Sequence, residues 1–92
     1  MTKILVSCYD IKADSYSVPF AVNTKDEARR SFGDALQDKN TVLGQHPADF
    51  ILFVVGLFYE QSGELTAIEK ERIALGSDYV YAVPVVSVAD AE

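Results

Sequence analysis

The apolar run FILFVVGLFY, Phe50–Tyr59, constrains the fold of this chain more than any other stretch. A membrane-crossing helix needs about 20 apolar residues, so the run is too short to span a bilayer and we expect no membrane association. Both of its alternating sets are apolar: Phe50, Leu52 and Val54 in one set, Ile51, Phe53 and Val55 in the other. This pattern predicts a strand covered on both faces, centrally in a sheet or at a dimer interface.

The residues after this run predict a second strand and then become ambiguous. EQSGEL is typical of a turn with Gly63 at positive φ, followed by an antiparallel partner beginning at Glu64 or Leu65. The next stretch, TAIEKERIAL, leaves two alternatives open: a short helix ending at Gly76, or an irregular surface segment. The apolar, β-branched YVYAVPVVSV predicts a terminal strand, with Pro84 favouring an edge.

The first half of the chain predicts two strands and the main helix. Lys3–Tyr9 is rich in Ile, Leu and Val, and VPFAV predicts an edge strand because Pro19 lacks a backbone donor. Thr24 and Glu27 form a capping box at the start of a helix over about residues 25–38. Its apolar stripe consists of Ala28, Phe32, Ala35 and Leu36. The chain therefore predicts an α+β fold: an antiparallel sheet of three to five strands with one main helix packed on one face.

Length and composition limit the organisation of the protein. The 92 residues are enough for a single domain over residues 1–92, and 49% hydrophobic content is that of a globular protein. Because a core of this size is modest, we expect a homodimer. The lone Cys8 cannot form an internal disulfide, and MTKILVSCYD does not resemble a signal peptide. These features favour a cytoplasmic protein.

Catalytic, metal and cofactor signatures are missing from the sequence. His46 is the only histidine and Cys8 the only cysteine, so a zinc or iron centre lacks ligands. The chain contains neither a G-x-S-x-G elbow nor a phosphate-binding glycine loop. We therefore expect no enzyme activity, no catalytic residues, no metal and no cofactor. His46 before Pro47 predicts a structural corner whose imidazole bonds the local backbone.

One basic and aromatic group is a candidate for nucleic-acid binding. Aromatic rings beside cations stack bases while the cations neutralise phosphates, which is the usual way to bind single strands. The candidate residues are Lys12, Tyr16, Lys25, Arg29 and Arg30. The net charge of −6 excludes a broad electrostatic grip on DNA, so contacts would be confined to a patch and binding weak and salt-dependent. The alternative is that these cations pair with neighbouring acids such as Asp26 and Asp34.

The order of several short motifs resembles a known phage family. The chain reads YDIKA, then PF, EARRSF, HPADF and GLFYEQSG, with fitting gaps, over roughly residues 3 to 66. The matching positions are Tyr9, Asp10, Lys12, Ala13, Pro19, Phe20, Glu27, Ala28, Arg30, Phe32, His46, Pro47, Asp49, Phe50, Gly56, Phe58 and Gly63. This order resembles the small nonstructural protein of gokushovirus-type microviruses, phages with single-stranded DNA genomes.

The resemblance implies a nonstructural DNA-binding protein of the bacterial host cytoplasm. It implies a role in the switch from duplex replication to single-stranded genome synthesis and packaging. We therefore expect single-stranded DNA as the partner. The alternative is a protein-interaction factor that regulates a phage or host replication protein through its acidic surface without binding DNA. The net charge of −6 favours the second hypothesis, and the resemblance favours the first.

Overall fold

A computed structural model describes residues 1–79, which form a five-stranded antiparallel sheet with helices. The strands are β1 Thr2–Asp10, β2 Ser15–Tyr16, β3 Phe20–Val22, β4 Phe50–Tyr59 and β5 Glu64–Leu75. The helices are α1 Lys25–Leu36 and α2 Val42–Gln45, followed by a 3-10 turn at Pro47–Asp49. The sheet order is β2-β1-β4-β5, and β3 also pairs with β1. The predicted α+β fold with one main helix is confirmed.

Strand β4 lies inside the sheet, between β1 and β5, and has the bounds that its apolar run predicts. Its side chains are fully buried on one face of the sheet only. Leu52 and Val54 on the α1 side are 0% and 2% exposed, whereas Ile51 and Phe53 on the other side remain half-buried. The prediction that both faces are covered therefore holds for the α1 side alone among residues 1–79.

The hydrophobic core fills the space between the sheet and α1. Its buried members are Val6, Val22, Ala28, Phe32, Leu36, Phe50, Leu52 and Val54. Burying a side chain of this kind contributes about 1.5–3 kcal/mol relative to leaving it exposed. The core therefore fixes α1 against a single face of the sheet.

Helix α1 begins at the predicted N-cap Thr24, but the returning bond of the capping box goes to Asn23 instead of Thr24. The Thr24 hydroxyl accepts a hydrogen bond from the Glu27 backbone N–H at 3.0 Å, and a Glu27 carboxylate oxygen accepts one from the Asn23 N–H at 2.6 Å. The helix ends at Leu36, two residues before the predicted position 38. Its C-cap, Gln37, donates its N–H to the Asp34 carbonyl in a tightened last turn.

The stretch after the Gly63 turn is a strand, so both alternatives for TAIEKERIAL were wrong. Gly63 has the predicted positive φ of 76°, and β5 then runs antiparallel to β4 as far as Leu75. Ile68 and Ile73 rest against the core, which holds the strand to the α1 side. The polar residues between them lie at the edge of the sheet, where charged side chains are common.

After the end of β5, the backbone at Gly76 passes very close to the backbone at Pro47. Residues 76–79 are helical, and a Cβ placed on Gly76 would lie 1.8 Å from the Pro47 carbonyl oxygen. Only glycine fits such an approach. The predicted strand YVYAVPVVSV begins at Tyr79, which is in this helical segment, and the rest of it lies outside the described residues.

Two short strands, β2 and β3, pair with the outer edge of β1. Ser17 lies between them in sequence and also bonds to β1. The Ser17 N–H donates to the Cys8 carbonyl at 2.9 Å, and its hydroxyl accepts from the Cys8 N–H at 3.0 Å. The buried Ser7 hydroxyl donates to the Ser17 carbonyl at 2.7 Å. Strand β3 begins directly after Pro19 at this edge, which confirms the predicted edge strand.

Candidate functional site

Three aromatic rings meet on the face of the sheet opposite α1, which we call the aromatic face. Tyr9 and Tyr16 are a cross-strand pair of β1 and β2, and their ring centroids are 4.7 Å apart. Phe53 of β4 places its ring centroid 6.4 Å from that of Tyr9 and 5.8 Å from that of Tyr16. The aromatic cluster of Tyr9, Tyr16 and Phe53 thus joins three strands, and Tyr16 is 43% exposed.

Two exposed cations of β5 lie beside this cluster. The Lys70 ammonium is 5.5 Å from the centroid of the Tyr16 ring, within the range of a cation–π contact. Arg72 is paired across the strands with Phe53, and directly paired residues share a face of the sheet. The aromatic face therefore combines flat apolar rings with two positive charges.

Strand alternation places Glu71 of β5 on one face of the sheet and its neighbours Lys70 and Arg72 on the other. Glu71, between the two cations, is paired with the buried Val54 and lies on the α1 side. There its carboxylate contacts the Lys25 ammonium at 2.8 Å. Lys70 and Arg72 flank Glu71 in sequence and lie on the other face. Two cations of a chain with a net charge of −6 thereby lie on the aromatic face.

The turn between β1 and β2 fixes one side of the cluster. The Asp10 carboxylate accepts hydrogen bonds from the Lys12 and Ala13 N–H groups at 3.0 and 3.2 Å. Asp14 has a φ of 55°, and its N–H donates to the Asp10 carbonyl at 2.8 Å. The Tyr9 hydroxyl donates to the Asp14 carboxylate at 2.5 Å. This hydrogen bond, followed by desolvation, raises the pKa of Tyr9 above its ordinary value.

The structure divides the five predicted binding residues between two places. Tyr16 belongs to the aromatic cluster, and Lys12 lies in the turn at the same end of the sheet. Lys25, Arg29 and Arg30 lie on α1, which covers the opposite face. A contact of any of these residues with nucleic acid stays a prediction.

Two of the helix cations hold α1 against β5. Lys25 pairs with Glu71, and the Arg29 side chain donates to the Ile73 carbonyl at 3.0 Å. Arg29 also contacts the Asp26 carboxylate at 2.6 Å. The Arg29–Asp26 pair matches the alternative in which the helix cations meet neighbouring acids, whereas the partner of Lys25 is on a distant strand. Arg30 is exposed beside Asp26 in a shallow surface depression.

His46 lies at the predicted corner, with one correction, and Cys8 is partly buried against the core. The backbone of His46 turns the corner, because its N–H donates to Val42 at 2.9 Å and its carbonyl accepts from Asp49 at 3.0 Å. The imidazole itself is exposed and makes no capping bond, so the predicted bond from the ring is wrong. Burial raises the pKa of the Cys8 thiol, which favours the unreactive protonated form.

Two other features are absent from the described part of the chain, namely a metal-binding cluster and a membrane-spanning helix. Within residues 1–79, no three His, Cys, Asp or Glu side chains come together in a way that could hold a metal ion. None of the helices in the same residues is long and apolar enough to cross a membrane.

Most of the aromatic face was missed by sequence reasoning, which found Tyr16 alone. Tyr9, Phe53, Lys70 and Arg72 are distant in sequence and meet only through the strand register. A signal was available: Tyr9 and Phe53 occupy positions alternate to the buried Val6 and Leu52. Residues of opposite parity in a strand point away from the core.

Comparison with known proteins gives one result. No curated protein and no solved structure shows a significant match to the chain. A family model described as Phage ORF5 protein matches residues 3–79, which include the strands and helices described above except for Thr2, the first residue of β1. The chain therefore belongs to the Phage ORF5 protein family.

Proposed function

We propose that this phage protein binds single-stranded DNA on its aromatic face. In this proposal it is a nonstructural protein that acts during genome replication or packaging, as the resemblance to gokushovirus-type microviruses implies. The observation that carries the proposal is the aromatic cluster with Lys70 over the Tyr16 ring. Membership of a phage protein family is consistent with this role.

The cluster has the geometry of a stacking platform. Every base has a flat π-face, so exposed aromatic rings bind single strands with little sequence preference, at about 1–3 kcal/mol per stacked base. Tyr16 is 43% exposed and offers the most accessible ring. Tyr9 and Phe53 support it from two neighbouring strands at 4.7 and 5.8 Å. Unstacked bases of a single strand fit this surface, whereas a duplex hides its base faces.

The cations of β5 supply the phosphate contacts. Lys70 and Arg72 lie on the same face as the rings, so a strand stacked on Tyr16 passes its backbone near both charges. Single-strand binding loses affinity with salt at a slope of about −0.7 per neutralised phosphate. Two such contacts predict a slope of roughly −1.4 in a plot of log K against log salt concentration. Binding is therefore weak and confined to low or moderate salt.

A fluorescence-anisotropy titration of a labelled single-stranded oligonucleotide at low salt tests the proposal. We expect saturable binding that Arg72→Ala weakens and Arg30→Ala leaves nearly unchanged. The two variants remove the same charge from exposed positions on opposite sides of the protein. No saturable binding at tens of micromolar protein would overturn the proposal. A larger loss with Arg30→Ala would move the binding surface to the α1 side.

The net charge favours a second candidate function. In this proposal the protein regulates a phage replication initiator or a host replication protein through acidic residues, without binding DNA. The candidate residues are the exposed carboxylates of α1, namely Glu27, Asp34 and Asp26, the last of which also pairs with Arg29. A pull-down from infected cells with wild type and a variant lacking these three charges tests it. Recovery of a replication protein by the wild type alone supports this candidate, and equal recovery by both counts against it.

A further inference from the structure

We propose that Asp14 selects which bases bind to the aromatic face, favouring those that present amino hydrogens over thymine. The inference rests on the proposed DNA binding and adds a base preference to it. Its basis is the position of the Asp14 carboxylate, which is hydrogen-bonded to the hydroxyl at the edge of the Tyr9 ring.

The turn holds this carboxylate in place on two sides. Its Oδ1 accepts the Tyr9 hydroxyl at 2.5 Å, and the Asp14 N–H is bound to the Asp10 carbonyl at 2.8 Å. Asp10 in turn organises the loop through the Lys12 and Ala13 N–H groups. The carboxylate is therefore a fixed acceptor at the rim of the aromatic cluster.

The carboxylate keeps free acceptor sites that face solvent. An ionised carboxylate has about four lone-pair positions, and the Tyr9 hydroxyl occupies one of them. Asp14 is exposed, so the remaining positions are accessible to a ligand stacked on the neighbouring rings. An aromatic platform alone does not distinguish bases, whereas an acceptor beside it reads the hydrogens at their edges.

The bases differ in what they offer to such an acceptor. Cytosine and adenine each present an exocyclic amino group, and aspartate accepts readily from the cytosine amino group. Thymine presents two carbonyl oxygens around its single ring N–H, and these repel a carboxylate. Because water screens the exposed carboxylate, we take the value of an ordinary protein hydrogen bond, which predicts tighter binding of oligo-dC than of oligo-dT by roughly 5- to 10-fold.

Asp14→Asn is the sharpest variant for this inference. Asparagine tolerates the left-handed backbone at this position, where φ is 55°. Its amide oxygen still accepts the Tyr9 hydroxyl, while its NH₂ group replaces the free acceptor sites with donors. Asp34→Asn is the matched control, because it makes the same charge change at an exposed position of α1.

The experiment is an anisotropy titration of labelled dC12 and dT12 with wild type, Asp14→Asn and Asp34→Asn at one salt concentration. We expect the wild type and Asp34→Asn to favour dC12 by roughly 5-fold or more, and Asp14→Asn to bring the affinity ratio close to one or below. Thermal unfolding of each variant checks that the fold is retained. An unchanged ratio in Asp14→Asn, or equal binding of dC12 and dT12 by wild type, overturns the base selection alone. Failure to bind either oligonucleotide overturns the proposed DNA binding as well.

Discussion

The two faces of the sheet are built from the same strands but differ in how deeply their side chains are buried. On the α1 side, Val6, Leu52 and Val54 are 0–2% exposed and form the core with the helix. On the aromatic face, Tyr9 and Phe53 from the same strands are half-buried and contact the exposed Tyr16. A strand with apolar residues at both parities therefore does not require two covered faces. Within residues 1–79, one set is buried beneath α1 and the other stays half-buried or exposed.

The comparison extends to charge. On β5, Glu71 lies with the helix and pairs with Lys25, whereas Lys70 contacts Tyr16 on the aromatic face. The net charge of the chain does not show this arrangement, because a sum over all residues does not say on which face of the sheet each charge lies. Neighbouring residues on one strand can thus place charges of opposite sign on opposite faces of the sheet.

The largest expected effect is a difference in unfolding free energy between substitutions on the two faces of the sheet. Leu52→Ala removes a side chain that is 0% exposed and should lower the free energy of unfolding by about 2–5 kcal/mol. Ile51→Ala is the matched control on the aromatic face and should cost clearly less, because Ile51 is only half-buried. Urea denaturation monitored by circular dichroism measures both. Equal losses would mean that the aromatic face is as tightly covered as the core.

The second effect is a loss of DNA affinity when an aromatic ring is removed from the aromatic face. Tyr16→Ala should weaken single-stranded DNA binding by about 1–3 kcal/mol, the value of one stacked base. Tyr16→Phe keeps the ring and should keep most of the affinity. The stability of both variants should change little, because Tyr16 is 43% exposed at a sheet edge. Anisotropy titrations give the affinities, and an alanine variant that binds like wild type would contradict the stacking role.

A smaller effect tests the role of a helix cation. Lys25→Ala breaks the contact with Glu71 between side chains that are 43% and 50% exposed. Such a pair contributes about 0.2–1 kcal/mol, so thermal unfolding should shift slightly and less at high salt. DNA affinity should stay close to that of wild type. A loss of affinity as large as that of Arg72→Ala would place phosphates along α1, as the sequence alone predicts.

The smallest effect concerns the pH dependence of Tyr9. Its hydrogen bond to Asp14 raises the pKa, so folding favours the protonated phenol over the phenolate. The stabilisation is present below the ordinary pKa of 10.0 and is lost as pH rises through the higher folded value. The difference in absorbance at 295 nm between wild type and Tyr9→Phe should have its midpoint above that ordinary value. A midpoint below it would contradict the Tyr9–Asp14 contact.

Much of the fold follows from local signals in the sequence. The helix begins at the Thr24 N-cap, and the Gly63 turn fixes the hairpin of β4 and β5, because each signal acts over a few residues. The extension of β5 to Leu75 did not follow. Its EKER segment shows no apolar alternation, and the partner that makes it a strand is β4, a tertiary neighbour.

The candidate site was less accessible to sequence reasoning than the fold. Tyr16 was found because it lies near other basic and aromatic residues in sequence. Phe53 and Arg72 become neighbours only through the pairing of β4 with β5, and that pairing contains register shifts. Lys25 and Arg30 are near Tyr16 in sequence, yet β3 and the helix cap carry them to the α1 side. Residues that are close in sequence were wrongly predicted to share one surface, because the chain crosses from one face of the sheet to the other between them.

The interrupted edge at Ser17 has a consequence for self-association. Strands add to a sheet only where an unbroken row of backbone donors and acceptors is available. On the β1 side, Ser17 and Pro19 divide the row between two short strands, and proline contributes no donor. Among residues 1–79, β5 is the long edge strand on the other side of the sheet, and its pairing with β4 contains register shifts. Strand addition through these residues would therefore stop at two chains. The homodimer expected from the small core stays a prediction.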